Sequence, residues 1–129
     1  MQTVLFADDM EEVRIPFCAL LQQQGYAVLE AADGYEALSL ARSHRERIDL
    51  LITDVVMPRL SGPELCRAMK GVHPESGVLF ISGYPAEGLG EAASFLQKPF
   101  TPGVLLRRVG ELLAEQPSRA GAGSGDSRS

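Results

Sequence analysis

Short runs of apolar residues alternate along this chain with longer segments in which apolar residues recur every three or four positions. The short runs are typical of strands, and the longer segments are typical of amphipathic helices. The predicted strands cover residues 3–7, 26–30, 48–53, 78–81 and 94–97. The run at 48–53 is largely apolar, as in a strand that is buried on both faces. Strands that alternate with helices predict βαβ units, and therefore a parallel sheet with helices on both faces.

Capping residues mark where several of the predicted helices begin. Asp33 precedes the second helix, and Ser61 with Glu64 has the spacing of a capping box at the start of the third. The last helix is expected to begin at Thr101, followed by Pro102 at the first helical position. These signals favour a regular α/β fold over an irregular one.

Two segments depart from this regular pattern. Pro16 falls in the second turn of the first helix, where a proline costs roughly 3 kcal/mol if the position is interior, so that helix either starts late or is kinked near Glu12. Only twelve residues separate Ser82 from Phe95, which is close to the minimum for a parallel crossover. We therefore expect the fourth helix, in this crossover, to be shortened to a turn or two. Residues 84–93 should also be among the more mobile parts of the chain.

Length and composition predict a single domain. The chain has 129 residues, of which 45% are apolar and 22% charged, so it can bury a sizeable core. Residues 1–116 are expected to form the domain, and residues 117–129, which are small or polar, a flexible C-terminal tail. Cys18 and Cys66 lie in helix-like apolar patterns and are expected to be reduced packing thiols, which favours a cytoplasmic location.

The apolar runs and the net charge argue against several classes of protein. No apolar run is long enough to cross a bilayer, and the N-terminus has no signal-peptide pattern, so we expect no membrane insertion. The net charge is −5, which argues against direct binding to nucleic-acid phosphates. His44 and His73 lie in polar, loop-like surroundings and are predicted to be surface residues.

The candidate reactive residues all follow predicted strands. Asp8 and Asp9 follow the first strand, Asp54 the third, Ser82 the fourth and Lys98 the fifth. The carboxyl ends of parallel strands meet at one edge of the sheet, where ligands bind. A flavodoxin-like strand order, 2-1-3-4-5, would place the first and third strands side by side. In that doubly wound sheet the three aspartates should converge.

A cluster of three carboxylates restricts the chemistry. Two like charges at 4 Å repel by about 4 kcal/mol at an effective dielectric constant of 20, so either one proton is retained or a divalent cation neutralises the cluster. Oxygen ligands without His or Cys suit Mg²⁺. Lys98 adds a positive charge and Ser82 a hydroxyl, a combination that can stabilise a phosphoryl group in transfer. Asp54, at the end of the central strand, is the expected nucleophile.

Five short motifs, in this order and at βα spacing, make residues 3–113 resemble the receiver domain of two-component response regulators. The motifs are residues 8–9, 51–58, 61–62, 81–84 and 97–100. The pairing of residues 82–84 with 97–102 looks most like receivers attached to hybrid histidine kinases. The resemblance implies a phospho-acceptor domain in a two-component phosphorelay, whose partner is a sensor histidine kinase or a histidine phosphotransfer domain. It implies no separate enzyme activity, only promotion of the domain's own phosphoryl transfer and dephosphorylation.

The resemblance also assigns the acceptor and the metal ligands. Asp54 matches the phospho-acceptor. Asp8 and Asp9 match the acidic pair that binds Mg²⁺, joined by Asp54 and by the backbone carbonyl of Val56. Polar side chains two residues beyond the acceptor help to place the hydrolytic water in this family. Because that position is Val56 here, the resemblance implies a long-lived phosphorylated state.

The remaining matches concern the switch. Ser82 matches the switch hydroxyl, and Lys98 matches the lysine that pairs with the phosphoryl group. Phe95 matches an aromatic residue whose ring swings inward when the switch hydroxyl moves. The family pattern further implies a cis peptide bond between Lys98 and Pro99. Tyr84, two residues beyond the switch hydroxyl, is bulky enough to hinder an incoming water.

Each of these residues also has an ordinary interpretation. Asp8 and Asp9 could cap the first helix, Lys98 could be a solvated surface residue, and Phe95 could be a core residue. Five such coincidences at one edge of a sheet are improbable together.

Three other functions fit the sequence less well. A degenerate receiver that acts only as a protein-binding module is disfavoured by the intact set of Asp54, Ser82 and Lys98. A small haloacid-dehalogenase-type phosphatase would carry a second aspartate two residues after the nucleophile, where this chain has Val56, and would be longer. A flavin or nucleotide fold is disfavoured because no Gly-rich phosphate loop follows the first strand. Neither a free-standing regulator nor a domain of a hybrid kinase is excluded.

Overall fold

Five parallel strands form one sheet in a computed structural model, which describes residues 1–84 and 94–115. The strands are β1 (Thr3–Ala7), β2 (Ala27–Ala31), β3 (Leu50–Asp54), β4 (Gly77–Ser82) and β5 (Ser94–Gln97). The helices of the described residues are α1 (Glu11–Gln23), α2 (Gly34–Ser43), α3 (Gly62–Lys70) and α4 (Pro102–Ala114). The strand order is β2-β1-β3-β4-β5. The predicted flavodoxin-like, doubly wound fold is thus confirmed, with strand bounds shifted by a residue or two.

The predicted shortening of the helix between β4 and β5 concerns residues 85–93, which lie outside the described residues, as does the predicted tail at 117–129. No helix in the ranges 1–84 and 94–115 combines the length and apolar character needed to span a membrane.

Two apolar cores lie on opposite faces of the sheet because successive strand side chains point to opposite sides. The core beneath α1 and α4 includes the fully buried Phe6, Ile52, Leu21 and Leu105. The core beneath α2 and α3 includes the fully buried Leu5, Ala37 and Leu65, together with Leu51. The strands β1 to β4 thus contribute to both layers, which fixes their register against one another.

The register brings the carboxyl ends of the strands level. Ala7 pairs with Thr53, and Asp54 pairs with Ile81. Because Asp8 follows Ala7 directly, it comes to lie beside Asp54 at the edge of the sheet.

The helix starts agree with the capping pattern. The Asp33 side chain accepts a hydrogen bond from the Glu36 amide at 2.8 Å, and Ser61 with Glu64 forms the predicted capping box. The Thr101 hydroxyl accepts a hydrogen bond from the backbone of the last helix as expected. The helix α1 begins at Glu11 and runs through Pro16, so the alternative of a late start is wrong.

The structure agrees with the prediction of packing thiols at Cys18 and Cys66 but not with the prediction of a surface position for His73. Both thiols are free, and burial raises the pKa of the Cys18 thiol to about 12, as suits an unreactive packing residue. His73, however, is only 9% exposed, and its Nε2 lies 2.8 Å from the Ala41 carbonyl oxygen at the end of α2. The prediction that His73 is a surface residue is therefore wrong.

Two glycines allow close backbone contact around the segment that follows β3. A Cβ atom on Gly62 would lie 2.3 Å from the Asp54 carbonyl oxygen, and one on Gly34 would lie 2.4 Å from the Leu60 carbonyl oxygen. Real Cβ atoms do not approach so closely, so both positions require glycine. The segment between Asp54 and Gly62 is consequently packed, backbone to backbone, against α2 and α3.

We predict that Gly62→Ala lowers the free energy of unfolding by about 1–3 kcal/mol, the usual range for an inserted methyl group in a packed site. The matched control is Gly110→Ala in α4, where an added Cβ meets no described atom within 4 Å. That variant should be more stable by about 0.5–1 kcal/mol, because alanine favours a helix over glycine. Urea unfolding followed by circular dichroism measures both changes. A Gly62→Ala protein as stable as the unchanged one would contradict the contact.

Candidate functional site

The Lys98 ammonium group lies between two carboxylates at the edge of the sheet. Its Nζ atom is 2.9 Å from Asp8 Oδ2 and 3.1 Å from Asp54 Oδ2. A third contact at 3.5 Å reaches the Met10 sulfur. The Lys98–Pro99 peptide bond is cis, as the resemblance to receiver domains implied. The backbone of Lys98 continues the pairing of β5 with β4 through a 2.7 Å hydrogen bond to the Ser82 carbonyl, which fixes where its side chain starts.

The predicted convergence of the three aspartates is confirmed. One carboxylate oxygen from each of Asp8, Asp9 and Asp54 lies within 4.8 Å of the other two. Asp8 and Asp54 are buried, whereas Asp9 is exposed. Asp8 Oδ1 accepts a 2.9 Å hydrogen bond from the Met10 amide, and Asp54 Oδ1 accepts a longer one, 3.4 Å, from the Val56 amide.

For both Asp8 and Lys98, burial shifts the pKa in one direction and the neighbouring opposite charge shifts it in the other. Burial raises the pKa of Asp8, and the neighbouring Asp54 charge raises it further, although the Met10 amide and Lys98 act the other way. For Lys98, burial alone would lower the pKa, but Asp8 and Asp54 outweigh it and the pKa of the ammonium is raised. Lys98 therefore stays charged at neutral pH, while the ionised form of Asp8 is held at a cost.

A magnesium ion fits the donor set at this edge. All three side chains offer oxygen, the ligand that Mg²⁺ prefers, and none is a His or Cys. Asp8 Oδ2 is buried and, beyond its ion pair with Lys98, accepts no hydrogen bond from the described part of the chain. That oxygen has lone pairs available, and a divalent cation would also relieve the repulsion between the carboxylates.

Ser82 and Val56 line the same groove as the acid cluster. The groove encloses about 640 Å³ and extends from the carboxylates to the Phe17 and Phe100 rings, whose centroids are 4.9 Å apart. Ser82 is buried, and its Oγ accepts a 3.0 Å hydrogen bond from the Tyr84 amide. The Val56 and Tyr84 side chains, 61% and 69% exposed, place apolar and aromatic surface at the mouth of the groove.

Phe95 lies apart from this cluster. It is half-buried on β5 and pairs in register with Phe80, on the same face of the sheet as Ser82. Among the described residues it does not line the groove.

Two arginines near the site have no role in the interpretation of the sequence motifs. Arg14 is buried and contacts the Asp8 carbonyl, and Arg59 has a positive φ of 71° and pairs with Asp33. Arg14 could have been found, because it precedes Cys18 by four residues and Leu21 by seven and so lies on the buried stripe of α1. The sequence contains no comparable signal for Arg59.

The open parallel sheet, with a carboxylate cluster and a lysine at its carboxyl edge, is the arrangement that the resemblance to receiver domains implies. Residues 4–110 match the family described as the response regulator receiver domain, and the chain belongs to that family. The predicted resemblance is thereby confirmed.

The relatives include both multidomain and short proteins. The chain is 37% identical over 120 residues to the sensor kinase CckA of Brucella abortus, covering 88% of this chain but 13% of that kinase. It is 31% identical over 119 residues to the response regulator receiver protein CpdR of Brucella abortus, covering 88% of this chain and 98% of CpdR.

Among solved structures, the receiver domain of the hybrid histidine kinase CckA matches with a TM-score of 0.77 and 42% identity, over 86% of this chain and 98% of that one. The chain thus spans a small fraction of one curated relative and almost the whole of another.

We predict that Asp8→Asn raises the free energy of unfolding at neutral pH when no divalent cation is present. The expected gain is on the order of 1 kcal/mol. Folding raises the pKa of Asp8, so the folded state binds this proton more tightly than the unfolded chain does. The unchanged protein therefore loses stability as the pH rises from the ordinary aspartate value through the folded pKa. Asparagine is never ionised and avoids this loss.

Urea unfolding in a chelating buffer between about pH 3 and pH 7 measures the effect, with Asp9→Asn as the exposed control. The advantage of Asp8→Asn should shrink towards acid pH, and Asp9→Asn should change little. A lower stability of Asp8→Asn at pH 7 would show that its ion pair with Lys98 outweighs burial.

Proposed function

We propose that Asp54 accepts a phosphoryl group from a phosphohistidine in an Mg²⁺-dependent reaction. A carboxylate oxygen of Asp54 attacks phosphorus, the phosphorus–nitrogen bond breaks, and the released imidazole leaves in its neutral form after taking up a proton. The product is an acyl phosphate on Asp54. The observation that supports this best is the position of Lys98, which lines the groove and whose ammonium bridges Asp8 and Asp54.

Asp8, Asp9, Asp54 and the backbone carbonyl of Val56 are proposed to hold the Mg²⁺ ion. Bound there, the ion supplies positive charge against the phosphoryl oxygens during transfer. The convergent oxygens and the available lone pairs of Asp8 Oδ2 support this assignment.

Lys98 and Ser82 are proposed to contact the transferred group directly. Lys98 already lies 3.1 Å from Asp54 Oδ2, so a short movement of its flexible side chain can bring it to a phosphoryl oxygen. The Ser82 oxygen accepts a hydrogen bond from Tyr84, which leaves its proton free to be donated. We assign Phe95 to the same switch because it shares a face of the sheet with Ser82.

The proposed phosphoryl donor is a sensor histidine kinase or a histidine phosphotransfer domain. The sensor kinase relative and the short receiver relative make two settings reasonable for this domain, within a hybrid kinase or on its own. In either setting the domain promotes its own phosphorylation and dephosphorylation, and acts on no separate substrate. The free thiols favour a cytoplasmic location.

Incubation with Mg²⁺ and a small phosphodonor is expected to add one phosphoryl group at Asp54. Mass measurement of the intact protein detects the product, and peptide mapping after borohydride trapping locates it. Asp54→Asn should remain unmodified, and a chelator should abolish the uptake. Phosphate uptake that persists in Asp54→Asn, or that the chelator leaves undiminished, would overturn the assignment.

The phosphorylated protein is expected to be long-lived, because the exposed Val56 side chain offers no hydrogen bond to an attacking water and Tyr84 obstructs its approach. Val56→Asn should speed the loss of the phosphoryl group by about tenfold, the effect of roughly 1.4 kcal/mol in a barrier. Mass measurements at intervals after donor removal give the rate. Val72→Asn, at a second exposed valine, is the matched control and should decay like the unchanged protein. Decay within seconds that Val56→Asn leaves unaltered would contradict this reasoning.

A further inference from the structure

Arg14 joins three parts of the fold immediately behind the acid cluster. Its side chain is 10% exposed, its Nη1 donates a 2.9 Å hydrogen bond to the Asp8 carbonyl, and its Nε donates one of 2.8 Å to Glu30 Oε2 on β2. The start of α1 sets its position, because the Arg14 amide donates to the Met10 carbonyl at 2.9 Å. The guanidinium thus connects α1, the end of β1 and β2.

These contacts leave Asp8 little freedom. Its backbone N–H donates to the Ala31 carbonyl at 3.1 Å, so both backbone polar groups of Asp8 are bound at the β2 side of the sheet. A fixed backbone fixes the direction of the Cα–Cβ bond, and the Met10 amide and Lys98 then hold the carboxylate. For Asp8 that direction is towards Lys98 and the site where the three carboxylates converge.

Packing alone does not account for an arginine at this position. A buried charge is costly unless it is paired and hydrogen-bonded, and the other buried residues of α1 are Cys18 and Leu21. The planar guanidinium carries N–H donors at fixed, separate positions, which lets Arg14 bind the Asp8 carbonyl through Nη1 and Glu30 through Nε at once. A leucine would fill the same space without binding Asp8.

We propose that Arg14, fixed by Glu30, is a positioning residue that orients the Asp8–Asp9 pair for Mg²⁺ and thereby sets the affinity of the site for the ion. The inference rests on the proposed function, since it assumes that the acid cluster binds Mg²⁺. The Arg14–Glu30 pair carries no net charge, so its effect on a cation comes through geometry and not through attraction.

The test removes this pair without changing the net charge. Arg14→Gln with Glu30→Gln takes away one positive and one negative group. The matched control is Arg47→Gln with Asp49→Asn, which removes a second ion pair with one buried partner, 3.0 Å apart, at the opposite edge of the sheet. Both double variants lose an ion pair with one buried partner and should be destabilised, but only the first one touches Asp8. Isothermal titration with MgCl₂ at a temperature where circular dichroism shows each protein folded gives the dissociation constant.

The Arg14/Glu30 double variant is expected to bind Mg²⁺ about tenfold more weakly, at the lower end of the range for residues that orient metal ligands. The Arg47/Asp49 variant should bind like the unchanged protein. Arg14→Lys, which keeps the charge and most of the packing, is a milder second variant and should also weaken binding, because its single compact ammonium cannot occupy both the Nε and the Nη1 positions from which arginine donates.

Three results would overturn the inference: unchanged affinity in the Arg14/Glu30 variant, equal losses in both double variants, or full affinity in Arg14→Lys. Mg²⁺ binding by the protein without substitutions distinguishes failure of this inference from failure of the proposed function. If the unchanged domain binds no Mg²⁺, both fail. If it binds Mg²⁺ and the Arg14/Glu30 variant binds equally well, only the positioning role fails.

Discussion

The burial of two carboxylates side by side at one edge of the sheet is the constraint on which the rest of this structure depends. Asp8 and Asp54 are both buried there, and Asp9 lies within reach of them. Lys98 offsets part of the repulsion through its two short ion pairs, yet the pKa of Asp8 remains raised by burial. The ionised carboxylates are therefore in an unfavourable environment, and a cation bound between them would stabilise their charge.

The convergence of these groups could be predicted because it follows from the parallel sheet alone. Once the apolar runs are taken as parallel strands in the order 2-1-3-4-5, any residue that follows a strand must lie at the same edge. Asp8, Asp54 and Lys98 needed no further information. The helix starts at Asp33, Ser61 and Thr101 were equally accessible, because capping depends on residues three or four positions apart.

What the sequence did not reveal depends on how elements are rotated and packed against each other. His73 lies in a locally polar segment, and only the packing of the α3 end against α2 brings its ring to the Ala41 carbonyl. Arg14 contacts Asp8 because of the angle at which α1 leaves β1. Pro16 left two alternatives open, since local rules state its cost and not how the remaining contacts of α1 offset that cost. Arg59 adopts a positive φ in a loop that neighbouring elements hold in place, with Asp33 and Tyr35 against its side chain.

The contact between Gly62 and the Asp54 carbonyl makes the acceptor end of β3 asymmetric. On the α3 side the backbone of Asp54 meets another backbone with no intervening side chain, so it has no space in which to retreat. On the β4 and β5 side it faces side chains, those of Ser82 and Lys98, which can change rotamer where a backbone cannot. A bulky, doubly charged group placed on Asp54 would therefore displace its surroundings in one direction only. If Asp54 accepts a phosphoryl group as proposed, the contact with Gly62 directs the resulting displacement towards β4 and β5 and away from α3.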